Sequence, residues 1–114
     1  MTTSAQARLA PCRVGVIGAG RVGAVLAAAL RARGHDVVAA HGVSDASQAR
    51  AADLLPGVPL EPVATVVEQA ELVLLAVPDD TLPGLVQGVA RSTGFRSDQV
   101  VAHTSGRHGV AVLA

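Results

Sequence analysis

The sequence predicts an α/β domain: a doubly wound parallel sheet of five strands in the order 3-2-1-4-5. Three observations predict it. From Arg13 onward, short β-branched runs alternate with Ala-rich stretches of helical length. The first run ends in Gly18-Ala19-Gly20-Arg21-Val22-Gly23, glycines spaced as a strand-to-helix turn requires. Leu72 to Val77 is an unbroken apolar run stopped by Pro78, the pattern of a strand buried on both faces.

Residues 1–11 are small and polar and are expected to be a mobile tail, which leaves 12–114 as one domain. Val14 to Ile17 is the first strand. Val22 to Arg33 is the first helix, with Arg31 and Arg33 in its last turn complementing the helix dipole and Gly34 as its stop. His35 to Ala40 is the second strand. Asp45, with Gln48 three residues on, resembles a capping box and opens a helix to about Leu55, ended by Pro56-Gly57. Val58 to Glu61 is a short third strand, and Val63 to Ala70 a weak helix. Leu72 to Val77 is the fourth strand. Thr81 or Asp80 caps a helix from Leu82 to about Ser92, with Pro83 tolerated in its first turn. Gln99 to Ala102 is the fifth strand, and from Gly106 a loop and a helix start are expected.

Composition excludes several functions. Half of the 114 residues are apolar, enough for one core, but Phe95 is the only aromatic. There is no lysine, so neither a phosphate-loop lysine nor a Schiff base can form. Nine basic residues balance nine acidic ones without clustering, which argues against nucleic acid as a partner. Cys12 is the single cysteine, so no internal disulfide forms and a cytoplasmic location is expected. Met1 to Arg8 is too polar for an export signal. Arg21 and the glycines interrupt Val14 to Leu30, so no membrane association is expected. His103 and His108 have no companion ligands for a metal.

Four segments carry chemistry. In the glycine loop, Gly18 permits the tight turn, Gly20 lets backbone approach a pyrophosphate, and Gly23 lets the helix lie close to the first strand. With Ala19, Arg21 and Val22 they surround a helix amino end that attracts an anion; the alternative is a plain strand-to-helix turn. The second strand ends in Ala40-His41-Gly42-Val43-Ser44-Asp45, with no acid at the strand end to take up ribose hydroxyls. Ser44 could bond a phosphate, and Arg21 or His41 could add charge, so NADP is expected over NAD, with NAD as the alternative. Ala76, Val77 and Pro78 end the fourth strand at the reversal of strand order, where backbone would lie along the ribose and nicotinamide. The following Asp79-Asp80 read as a solvated loop and helix cap. After the fifth strand, Ser105 could hydrogen-bond a substrate and His103 could donate a proton; the alternative is that both are turn makers.

Taken together, Val14 to Gly23, Leu72 to Asp80 and His103-Thr104-Ser105-Gly106 resemble the amino-terminal NAD(P)-binding domain of a family of Rossmann-like oxidoreductases. That family is similar to the 6-phosphogluconate dehydrogenase, pyrroline-carboxylate reductase and ketopantoate reductase group. The resemblance implies hydride transfer between nicotinamide and a carbonyl or imine of a small metabolite. It also implies a helical substrate domain beyond Ala114 that completes the substrate pocket and makes a homodimer contact, with residues 12–114 alone inactive. An exposed apolar face is expected where that domain packs. Val43 stands where NADP-using relatives often carry Arg, and no lysine is present for the proton-donor role some relatives assign to one. The competing readings are a non-catalytic nucleotide-binding or regulatory module and, fitting the three glycines less well, a methyltransferase using S-adenosylmethionine.

Overall fold

The computed structural model describes residues 11–18, 21–42, 44–92 and 94–104. The expected tail before Pro11 and the expected loop and helix after Gly106 lie outside the described residues. In chain order the elements are β1 (Arg13–Ile17), α1 (Arg21–Ala32), β2 (Asp36–His41), α2 (Asp45–Leu54), α3 (Val63–Gln69), β3 (Leu72–Leu75), α4 (Leu82–Arg91) and β4 (Val100–His103). All strand pairs are parallel, in the order β2-β1-β3-β4.

Two expectations need correction. The third predicted strand is only a bridge, Leu60 against Ala40 beyond β2. It is framed by Ala40 N–H donating to the Pro59 carbonyl (3.0 Å) and Glu61 N–H donating to the Ala40 carbonyl (2.8 Å). Pro59 has no N–H to lengthen that ladder toward Val38, and Pro62 already opens α3 as its N-cap residue. The sheet therefore has four strands among the described residues, with the bridge holding the outermost place of the predicted order. The cap of α2 is Ser44, one residue before the expected Asp45: Ser44 Oγ accepts from Ser47 N–H at 3.1 Å. Thr81 is the N-cap residue of α4, without a side-chain capping bond.

The helices divide between the two faces of the sheet. On one face, Leu82, Val86 and Val89 of α4 and Val66 and Val67 of α3 pack with Ile17, Val73 and Leu75. On the other, Ala27 of α1 and Leu55 after α2 pack with Val14, Val16, Val37 and Leu74. Small alanines on the inner side of α1 let it lie close to β1 and β2. Its outer side carries Val22, Val25 and Leu26, all exposed. A hollow of about 520 Å³ lies on that helix, between Leu26, Ala29, Leu30, Arg33 and His35.

Strand β4 is fastened by side chains rather than by a helix cap of its own. Arg96, just before it, donates to the carbonyls of Glu68 and Ala70, both at 2.9 Å. Gln99 Nε2 donates to the carbonyls of Val67 (2.6 Å) and Ala70 (2.9 Å). Together with Arg13 Nε, which donates to the Gln69 carbonyl at 3.1 Å, these bonds satisfy the carbonyl end of α3, which has no partners within its own helix.

Candidate functional site

The connection from β1 runs outward to β2, and the connection from β3 runs outward to β4, so the chain diverges between neighbouring strands β1 and β3. In an open parallel sheet that divergence leaves a crevice at the carboxyl ends of the strands. Four residues end the strands in one register row: His41 pairs with Ile17, Ile17 with Leu75, and Leu75 with His103. Three strand spacings make this row about 14 Å long. Backbone bonds tie the edge together. Gly18 N–H donates to the His41 carbonyl (2.8 Å), Ala76 N–H to Ile17 (2.8 Å) and Thr104 N–H to Leu75 (3.2 Å).

The glycine turn sits at the centre of this edge. Gly18 has φ +85°, a conformation that side chains disfavour, and a β-carbon on it would lie 2.7 Å from Val77 Cγ1 and 2.8 Å from the Ala76 carbonyl oxygen. A β-carbon on Gly23 would lie 2.6 Å from Ala76 Cβ and 2.8 Å from the Gly18 carbonyl oxygen. Thus α1 starts against the end of β3 because Gly18 and Gly23 carry no side chain toward Ala76 and Val77. No acidic residue stands in the first turn of α1, so no carboxylate of that turn competes for its N–H groups and positive dipole end.

Of the residues expected at the site, Gly18, Gly23, Ala76 and Val77 come together in that turn. Val22 is exposed on α1, Pro78 is exposed after β3, and Arg21 is the first residue of α1. His41 and Gly42 are half-buried at the end of β2, and His103 is half-buried at the end of β4. Ala19, Gly20 and Ser105 lie outside the described residues. Ser44 is committed to its cap, where its hydroxyl also donates to Ser47 Oγ at 2.9 Å. One contact escaped the sequence reading: His41 Nδ1 lies 3.1 Å from the Glu61 carbonyl oxygen. That oxygen can only accept, so Nδ1 carries the proton. The partner is a backbone atom 20 residues away, and no local pattern signals it.

No group of three His, Cys, Asp or Glu side chains placed to hold a metal occurs among the described residues. No helix among them is long and apolar enough to cross a membrane.

A doubly wound sheet with a glycine turn closing on its reversal point is the architecture of a nucleotide-binding α/β domain. The chain belongs to the Rossmann-like domain family, which it matches over residues 1–114. No curated protein matches it. Among solved structures, it is similar to a candidate NADP oxidoreductase from Bacteroides fragilis, with 26% identity and TM-score 0.70 over 86% of this chain and 37% of the other. It is also similar in fold to prephenate dehydrogenase from A. aeolicus, solved with hydroxyphenyl propionate and NAD+. There the identity is 21% and the TM-score 0.70, over 89% of this chain and 38% of the other. Synechocystis arogenate dehydrogenase follows with 20% identity and TM-score 0.67, over 82% of this chain and 32% of the other. The chain thus spans under two-fifths of the length of each of these oxidoreductases.

Proposed function

We propose that this domain binds a nicotinamide dinucleotide, NADP in preference to NAD, across the strand ends from His41 to His103. It would serve an oxidoreductase that moves a hydride between nicotinamide and a carbonyl or imine carbon of a small metabolite. The observation that carries this reading is the turn itself: Gly18 and Gly23 close on Ala76 at the sheet's reversal point, with no room there for a β-carbon. The similarity to oxidoreductases, one named for NADP and one solved with NAD+, supports the same reading.

Each part of the edge has a role in it. The amino end of α1 faces the pyrophosphate, with Gly20 allowing backbone to approach. His41 and Gly42 lie along the adenosine ribose, and the lack of an acid there favours the 2′-phosphate of NADP. Ala76 to Pro78 lie along the nicotinamide ribose. When bound, the cofactor supplies the hydride chemistry. His103 and Ser105 face the substrate, His103 as proton donor and Ser105 as hydrogen-bond partner, and further polypeptide completes the substrate pocket and the dimer contact.

Calorimetric titration of the chain with NADPH and NADH tests the reading, alongside Gly20→Asp, which puts a carboxylate where the pyrophosphate would lie. Saturable binding in the parent and its loss in a variant that melts normally are expected. A folded chain that binds neither dinucleotide up to about 1 mM would refute the proposal.

A further inference from the structure

We infer that His41 reads the 2′ position of the adenosine ribose through its own protonation state, so that the preference between NADP(H) and NAD(H) follows pH. This rests on the dinucleotide reading above and names the residue that sets its specificity.

His41 ends β2, the place from which a side chain reaches the ribose in this architecture. Its ring is not free to choose a tautomer. Nδ1 donates to the Glu61 carbonyl oxygen at 3.1 Å, and a carbonyl oxygen accepts whatever the charge of the ring. The proton on Nδ1 therefore stays, and only Nε2 changes on titration. In the neutral ring, Nε2 is an acceptor. It can take the hydrogen of a ribose 2′-hydroxyl, but it sets a lone pair against the oxygens of a 2′-phosphate. In the imidazolium, Nε2 is a charged donor. It then makes a charge-assisted bond to the phosphate, and a hydroxyl oxygen can still accept from it. NADP(H) thus gains strongly from protonation, while NAD(H) is served in both states.

The Ser44 hydroxyl is held in the α2 cap by Ser47. The ionisable groups on the surrounding elements are Glu61 beside the bridge, Asp45, Arg50 and Asp53 on α2, Arg21 and Arg31 on α1, and Glu68 on α3. Asp36 lies at the opposite end of β2, and Asp79 and His103 lie beyond β1 at the ends of β3 and β4. The chain contains no lysine.

The test measures the dissociation constants of NADPH and NADH at pH 5.5 and 8.5, values that bracket imidazole titration, at constant ionic strength. The NADPH preference is expected to fall at least tenfold from the lower to the higher pH, with NADH affinity nearly constant. His41→Asn keeps an amide donor for the Glu61 carbonyl and deletes Nε2. It should weaken NADH binding by about the same factor at both pH values and lose the fall, leaving only the titration of the phosphate itself, which runs the opposite way. As a measurement that needs no variant, NMR titration of the His41 imidazole should show a midpoint raised by NADP+ and unmoved by NAD+. Intact binding with a preference independent of pH, or the same fall in His41→Asn, overturns the inference and leaves the dinucleotide site standing. Absence of binding at both pH values overturns the two together.

Discussion

Replacing Gly23 by alanine puts the packing of α1 on β3 to a quantitative test. The new β-carbon would lie 2.6 Å from Ala76 Cβ and 2.8 Å from the Gly18 carbonyl oxygen. Neither neighbour can swing away, since one is backbone and the other is fixed directly to it. Carbon atoms rest at about 3.5 to 4.0 Å, so the first turn of α1 must lift by roughly 1 Å. Overpacking of this kind costs about 1–3 kcal/mol. Alanine returns about 1 kcal/mol through its better helix propensity. The net loss is then roughly 0–2 kcal/mol, and its middle value of about 1 kcal/mol lowers Tm by about 4–8 °C for a domain of this length. Gly88→Ala in α4 is the matched control, because a β-carbon there meets nothing within 4 Å. It should gain about 0.5–1 kcal/mol, the propensity term alone. Thermal and urea unfolding of both variants and the parent would measure the two shifts. A Gly23→Ala protein that gains as much stability as Gly88→Ala would refute the close approach of α1 to Ala76. A destabilised Gly88→Ala would refute the propensity side of the arithmetic.

Arg96→Ala removes the guanidinium that holds the Glu68 and Ala70 carbonyls, while Gln99 still reaches Ala70. Arg96 is partly exposed, so urea unfolding should report a loss of about 1–2 kcal/mol rather than the full value of buried charged bonds; an unchanged midpoint would mean the α3 carbonyls are as well served by water. Cys12 accounts for an alkaline dependence: burial, and next the charge of Glu71, raise its thiol pKa in the folded state. Its contribution to stability is therefore complete below the unfolded thiol value of about 8.5 and is lost as pH rises through the higher folded one. With no tyrosine and no lysine in the chain, stability should fall over that window in the parent and stay level in Cys12→Ser, measured by urea midpoints.

The legible parts of this domain are those whose signals are local. The Gly18-to-Gly23 spacing carries both the turn and the close helix, because a missing β-carbon at either position is visible as a residue type. Strand β3 was plain because burial on both faces leaves an unbroken apolar run. The cap of α2 was displaced by one residue because Ser44 and Asp45 are both good caps, and only the Ser47 N–H geometry selects between them. The third strand was overread because its apolar residues said nothing about the ladder donor missing at Pro59. Gly15 went unread altogether: a β-carbon on it would come within 2.6 Å of Val66 Cγ1, a contact across 51 residues of sequence. The His41 tautomer and the Arg96–Gln99 clasp were illegible for the same reason, since each depends on carbonyls distant in sequence.

The two ends of the candidate site differ in how completely this chain builds them. At the β2 end, His41 is held by the Glu61 segment, and the bridge and α2 flank it. At the β4 end, cover thins on the α1 side of the sheet. One register row crosses all four strands, Val37–Val14–Leu72–Val100. Its exposure runs from 5% and 0% at β2 and β1 to 62% at β4. Parallel strands are normally covered on both faces, and on this side Val100, with Val22, Val25 and Leu26 of α1, leaves apolar side chains exposed. Under the proposed function, the adenosine end would rest on contacts this chain makes internally, so cofactor preference measured on the chain alone tests it. The substrate would then lie at the other end, beside β4, where His103 is the candidate side chain among the described residues.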